Sequence, residues 1–139
     1  MSRYVDPERD QFEAFKALPR DAPIMMLNLV AFRDEAQYPD GHRATGAEAY
    51  AAYGRESAPV FKRVGGEILW RGRPEVMLIG PADRRWDLAF VARYPTASAF
   101  LEMVTDPVYR EAVKHRQAAV LDSRLIRTGE IQFGDGFAG

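Results

Sequence analysis

The sequence predicts an α+β fold with a four-stranded antiparallel sheet, on three observations. Segments 24–32 and 86–94 are apolar at nearly every position, so both faces of each must be covered. A strand–helix–strand pattern occurs twice, once around each of those segments. The chain has 139 residues, enough for one domain with a core of its own.

Composition narrows the class further. Apolar content of 47% and charged content of 28% are those of an ordinary globular protein. A net charge of −1 gives no reason to expect nucleic acid or an anionic membrane as partner. No apolar run approaches the roughly 18 residues of a spanning helix, and residues 1–7 contain no hydrophobic signal core. Cysteine is absent, which removes disulfide and thiol chemistry. Together these absences point to a cytoplasmic location.

Taken in order, Asp6-Pro7 reads as a helix start, and Phe12, Phe15 and Leu18 give residues 7–18 an amphipathic helical spacing that Pro19 ends. Residues 1–21 are thus expected to be a helical extension before the main domain, 22–128. The strand 24–32 has one polar interruption, Asn28. The stretch from Arg33 to Arg43 is long for a connection and contains the turn Pro39-Asp40-Gly41; it is expected to be mobile and to lie over a pocket mouth. Thr45-Gly46-Ala47-Glu48 fits a capping box. The helix after it carries Tyr50, Tyr53, Ser57, Val60, Phe61 and Val64 on one side, contains Pro59, where a kink is expected, and closes at Gly65-Gly66.

A second strand is expected over Ile68–Arg71 and Val76–Ile79, interrupted at Gly72-Arg73-Pro74, which marks an edge. Gly80-Pro81-Ala82-Asp83 turns back to the apolar run 86–94. Thr96 and Asp106-Pro107 each start a helix, and the final strand runs from about Asp122 to Thr128. Residues 129–139, with Ile131, Phe133 and Phe137 among glycines, read as a loose arm.

Two strand–helix–strand units in one sheet, joined by right-handed crossovers, give the ferredoxin-like βαββαβ arrangement with strand order fourth, first, third, second. The two most apolar strands then lie at the centre, and the edges carry Arg71, Pro74, Arg124 and Arg127. Helices cover one sheet face. The other would leave two apolar strands in water, and a second copy of the chain is the economical cover.

From about Ala22 to Thr128 the chain resembles the bacterial domain of unknown function 1330 family, in the dimeric α+β barrel superfamily. The resemblance rests on Leu27-Asn28-Leu29 with Phe32-Arg33, Tyr50-Ala51-Ala52-Tyr53, Ala58-Pro59, Val64-Gly65-Gly66, Trp86-Asp87, Arg93-Tyr94-Pro95, Asp106-Pro107-Val108-Tyr109 with His115-Arg116, and Asp122-Ser123-Arg124-Leu125. It implies a ferredoxin-like protomer and a homodimer, and no established activity or catalytic residue. Relatives in the superfamily include cofactor-free monooxygenases, small-ring isomerases, haem-handling proteins and ligand-binding regulatory domains.

Several residues are candidates for a site. His115 shares a face with Val108, Ala112 and Ala119, small residues that leave room for a cavity. It is either a proton carrier or a histidine held by the core. Arg116 points about a hundred degrees away and is read as a structural or interface cation. Arg93 is either a carboxylate anchor or, more economically, an ion-pair partner of Asp87, Asp122 or Glu67. Asn28 must hydrogen-bond a neighbour or a ligand. Arg33, Tyr53 and Trp86 complete the ligand-binding candidates, and Tyr50, Tyr53, Trp70 and Trp86 are the residues of a prospective aromatic pocket.

With His42 and His115 the only histidines, no spacing forms a metal site, and no Gly-rich loop suits a nucleotide, so neither metal nor cofactor is expected. The expected function is that of a cofactor-free enzyme, monooxygenase- or isomerase-like, acting on a small organic acid or aromatic compound. The alternative is a non-catalytic ligand-binding or stress-associated module using the same pocket.

Overall fold

Two apolar segments become the two central strands. The computed structural model describes residues 3–132 and 134–137. Its elements are α1 (Arg9–Ala17), β1 (Ile24–Phe32), α2 (Gly46–Arg63), β2 (Glu67–Gly72), β3 (Leu88–Tyr94), α3 (Ala97–Thr105), α4 (Pro107–Ala119) and β4 (Val120–Thr128). The four strands are ordered β2-β3-β1-β4 with antiparallel pairing throughout, the order that the apolarity of the strands predicts. This is the ferredoxin-like α+β fold. Among the described residues no helix is long and apolar enough to cross a membrane.

Local chemistry sets the helix boundaries. The Thr45 hydroxyl accepts from the Glu48 amide at 3.0 Å and the Glu48 carboxylate accepts from the Thr45 amide at 2.8 Å, so the capping box is complete. Gly65, at φ +87°, ends α2: its amide donates to Lys62 and the Gly66 amide to Phe61, the paired bonds of a Schellman cap. Pro59 lies inside α2, which continues through it. Thr96 caps α3 and Asp106 caps α4.

Three expectations fail here. The N-terminal helix starts at Arg9, not Pro7, and Glu8 gives it no side-chain cap. Asp6 is occupied elsewhere, accepting from Gln117 Nε2 at 3.2 Å, while Ser123 and Arg116 hold the carbonyls of Tyr4 and Val5. Residues 3–7 are therefore drawn out along α4 and β4. Second, β2 stops at Gly72. Gly72 pairs with Ala89, one residue from the start of β3, so Val76–Ile79 find no strand opposite them, and Val76, Leu78 and Ile79 are exposed. Third, the loop after β1 is packed rather than free: Ala36 donates to Ala44 and Gln37 to Ala118, both at 2.9 Å. Of the C-terminal arm, Phe133 lies outside the described residues; Ile131 and Phe137 are exposed and no helix or strand includes them.

Register and alternation assign each residue to a sheet face. Toward the helices lie Ile24, Met26, Asn28 and Val30 of β1 opposite Tyr94, Ala92, Phe90 and Leu88 of β3. The other face carries a row that crosses all four strands, Ile126–Leu27–Val91–Trp70. A register shift between Ile68 and Trp70 lets Leu69 bulge out, so Trp70 joins this open face while both Ile68 and Arg71 point toward the helices. Trp70 is 55% exposed and Ile126 48%. The core lies between the helix-side face and α2 to α4, in one cluster around Ile24, Met26, Val60, Ala92, Tyr94 and Met103 and another around Val30, Ala49, Ala119 and Val120.

Candidate functional site

The helices do not close fully onto the sheet. Between them lies a cavity of about 1310 Å³, floored by β1, β3 and the helix-facing residues of β2, edged by residues 123–127 of β4, walled by α2, α3 and α4, and flanked by α1 and residues 4–7. Its floor includes the row Leu125–Asn28–Phe90–Arg71, set by the strand pairing.

Aromatic rings form its walls. Tyr50 and Tyr53 on α2 are one helical turn apart, with ring centroids 5.4 Å apart, and Tyr53 meets Tyr109 of α4 edge to face at 6.0 Å. The Tyr53 and Tyr109 hydroxyls share a hydrogen bond of 2.8 Å. A second arc runs Phe61–Tyr94–Phe100–Phe15, with spacings of 5.6, 5.2 and 5.1 Å, and brings α1 into the wall. Burial pushes the phenols of Tyr50, Tyr53, Tyr94 and Tyr109 upward, while the Arg116 charge pulls down on Tyr50, Tyr53 and Tyr109 without reversing the direction. All four are neutral hydroxyls near neutral pH. They can donate hydrogen bonds to a ligand oxygen but do not carry away a proton there.

Asn28 and Tyr53, both expected from the sequence, line this cavity. Asn28 is buried, and its Nδ2 donates to Met26 O at 3.0 Å. The other candidates are elsewhere. Arg93 is on the open face and pairs with Glu67 at 3.8 Å, one of the ion pairs anticipated for it. Trp86 precedes β3 and lies beside the guanidinium groups of Arg84 and Arg124, 5.7 and 5.4 Å from its ring. Arg33 follows β1 in the packed loop, its amide on Ala119 O at 2.8 Å. No residue from 33 to 43 lines the cavity, so that loop is no lid for it; α1 and the residues before it flank the space instead. Trp70, on the open face, does not belong to the aromatic pocket either.

His115 is the main correction. It does not line the cavity; Arg116 does. The small residues beside His115 serve close helix packing rather than open space: Ala112 and Ala119 are wholly buried where α4 runs along α2. His115 reaches across α2, with Nε2 2.8 Å from Glu56 Oε2 and Nδ1 2.6 Å from the Tyr38 hydroxyl. A carboxylate only accepts, so Nε2–H faces Glu56, and Nδ1 shares its hydrogen bond with the Tyr38 hydroxyl, whose pKa burial and then the charges of Glu56 and Asp40 push up. The cavity face of α4 is Tyr109, Val113 and Arg116, rotated by about a hundred degrees from the face expected. Arg116 donates to Val5 O and, at 3.2 Å, to Ser123 Oγ.

The sequence could have yielded Arg116: Tyr109, Val113 and Arg116 are spaced four and three apart on α4 and follow a fixed cap at Asp106. Arg71 could not be found that way, because the bulge that turns it inward has no signature in the residues around it.

Comparison with known proteins adds family and fold. No curated protein matches the chain. The crystal structure of a protein of unknown function from Rhodopseudomonas palustris, RPA0582, is 58% identical, with a TM-score of 0.90 over 94% of this chain and 99% of that one. SnoaB, a cofactor-independent oxygenase from Streptomyces nogalater, is 15% identical, with a TM-score of 0.53 over 81% of this chain and 96% of that one. A putative antibiotic biosynthesis monooxygenase from Bacteriodes thetaiotaomicron is 14% identical, with a TM-score of 0.52 over 84% and 96%. At those identities the last two share the fold alone. The family model for a domain of unknown function, DUF1330, matches residues 42–128, and the chain belongs to that family.

Proposed function

We propose that the protein is a homodimeric binder of a small aromatic or apolar organic molecule, which it takes into the cavity between sheet and helices. The observation that carries this reading is the cavity itself. About 1310 Å³ of space, lined by Tyr50, Tyr53, Phe90, Tyr94 and Tyr109 and by a buried amide at Asn28, exceeds the roughly 300–1,000 Å³ of ordinary ligand pockets. Close-packed interiors do not keep such space without an occupant or an opening. Dimerisation rests on the row Ile126–Leu27–Val91–Trp70, which leaves apolar side chains in water on the face away from the helices.

The test is a titration with the uncharged fluorophore N-phenyl-1-naphthylamine. Saturable binding is expected, and Ala58→Trp, at an exposed α2 position that lines the cavity, should weaken it at least about tenfold with little change in melting temperature. Absence of saturable binding, or binding indifferent to Ala58→Trp, would overturn the reading.

A second reading, cofactor-free turnover of the bound molecule in the manner of an oxygenase or isomerase, has one observation in its favour. The Tyr53 and Tyr109 hydroxyls, 2.8 Å apart, form a donor pair that an enolate-like oxygen could engage. No histidine lines the cavity and its phenols are held protonated, so the proton to be lost would have to leave an already acidic substrate. Oxygen consumption with acidic phenols as substrates, abolished by Tyr53→Phe with Tyr109→Phe, would establish this reading over simple binding.

A further inference from the structure

The connection from β2 to β3 is longer than its path requires. It leaves β2 at Gly72, on one edge of the sheet, and by Arg84 it has reached β4 on the other edge, where that guanidinium pairs with Asp122 at 2.7 Å. Three strand spacings separate those edges, roughly 14 Å at about 4.8 Å each. The eleven residues 73–83 can span about 36 Å. The surplus stands away from the protomer as an arm, in which Val76 is 81% exposed, Leu78 88% and Ile79 90%. The arm has a fixed shape. Gly80 takes φ +141°, and the Met77 side chain folds back over it, so that a Cβ at Gly80 would meet the Met77 sulfur at 2.7 Å. Pro74 and Pro81 stiffen its ends, and the Arg84 amide donates to Pro81 O at 3.2 Å. No charge interrupts Val76 to Ala82. Single apolar residues on a surface are ordinary, but an uncharged projecting run of this kind marks a contact surface.

Three observations name what covers it. No residue from 72 to 87 lines the cavity, so the arm does not close the protomer's own ligand space. The connection borders the open face of the sheet instead. By register Asp122 stands opposite Ala31 and Arg124 opposite Leu29 on that face, and the connection holds both, Asp122 through Arg84 and Arg124 through the Trp86 ring 5.4 Å away. The arm is thus continuous with the surface whose row Ile126–Leu27–Val91–Trp70 is itself uncovered. The third observation is area. A stable interface takes about 800 Å² from each partner. Covering an exposed aliphatic side chain removes roughly 60–120 Å² from water, so the three side chains of the arm supply roughly 200–350 Å² of that. A two-fold axis sets arm against face twice, and one kind of contact then covers both surfaces in both copies.

We propose that residues 73–80 are a clasp for a second copy of the chain, with Val76, Leu78 and Ile79 seated on the partner's open sheet face. The proposal rests on the dimer reading above and adds to it an element that the sheet row alone does not contain. It also accounts for an apolar run with the composition of a strand and no strand beside it in its own sheet.

Two measurements test it on the full chain. In sedimentation equilibrium, Leu78→Ser combined with Ile79→Ser should weaken the dimer at least about a hundredfold. Both positions stand in water in the protomer, so circular dichroism should match wild type and N-phenyl-1-naphthylamine binding should stay within about twofold. The second measurement does not depend on that variant. The chain has no cysteine, so Leu78→Cys carries a single benzophenone maleimide, and irradiation of dimers mixed from ¹⁴N and ¹⁵N chains shows which chain the arm touches. Crosslinks that join light to heavy peptides and end on the sheet strands are expected. Crosslinks confined to one chain, or ending on the helices of the other, would overturn the clasp. A serine variant that dimerises as well as wild type would overturn it while sparing the dimer reading. A wild type that is monomeric throughout the micromolar range would remove the dimer reading and the clasp with it.

Discussion

Replacing Ile126 by glutamate should convert a dimer into a folded monomer. Ile126 is on edge strand β4, at the end of the row Ile126–Leu27–Val91–Trp70, and is 48% exposed in the protomer. Full burial of an isoleucine side chain contributes about 1.5–3 kcal/mol, so covering the exposed half contributes about 1 kcal/mol. A two-fold interface counts each position twice, so truncation alone removes about 2 kcal/mol from association. The carboxylates add more: two uncompensated charges held in an apolar interface cost several kcal/mol each. The sum is at least about 6 kcal/mol, a weakening of more than about 10⁴-fold. The protomer should be spared, because position 126 stays half in water without a partner. Sedimentation equilibrium across micromolar concentrations should give a dimer for wild type and a monomer for Ile126→Glu, with matching far-ultraviolet circular dichroism. A monomeric wild type, or a variant that dimerises as well as wild type, would refute the assignment of the open face as the interface.

Three further substitutions probe the fold and the site. Gly46→Ala should destabilise by at least about 3 kcal/mol in chemical denaturation, because a Cβ there would overlap the carbonyl oxygen of Arg33 and lie 2.9 Å from its amide nitrogen, both backbone atoms that cannot step aside. Asp122→Asn should cost about 2–3 kcal/mol at pH 7. Desolvation opposes the Asp122 charge, but the Tyr4 amide and the guanidinium groups of Arg124 and Arg84 outweigh it and hold the carboxyl below its ordinary range. A carboxyl pKa depressed by folding stabilises above its unfolded value and loses that contribution as pH falls through the folded value, so the gap between wild type and variant should narrow below about pH 4. His115→Ala should cost only about 1 kcal/mol, through its bonds to Glu56 and Tyr38, and should leave probe binding unchanged; a large loss of binding would return the residue to the site.

Apolarity on both faces of a strand is a statement about its neighbours, which is why 24–32 and 86–94 could be placed at the sheet centre, and the more polar strands at its edges, from residues alone. Caps are equally local: Thr45 with Glu48, Asp106 with Pro107, and Gly65-Gly66 each act within four residues and fall where expected. The site was less legible because its geometry is decided between elements. Ala112 and Ala119 beside His115 suggested empty space. Small residues on a helix face mean either a cavity or the close approach of another helix, and only the position of α2 distinguishes them. The run 76–79 has the composition of a strand, but a strand needs a partner, and β3 begins too late to offer one. Asn28 was found because it interrupts an apolar strand, and Tyr53 because it follows Tyr50 at helical spacing.

The bulge at Leu69 ties the two faces of the sheet together. In a regular strand Ile68 and Trp70 would share a face and Arg71 would take the other. One extra residue reverses this, sending the large apolar ring to the surface offered to a second copy and the cation to the cavity floor. Neither placement makes sense alone. A buried Trp70 would fill the cavity, and Arg71 on the open face would put a charge in the apolar row proposed as the dimer surface. Deleting Leu69 should therefore damage both properties at once, weakening N-phenyl-1-naphthylamine binding and the dimer. Trp70→Ala should weaken only the dimer. If deletion of Leu69 leaves either property intact, the register shift does not control which face these side chains occupy, and the link between cavity and interface fails.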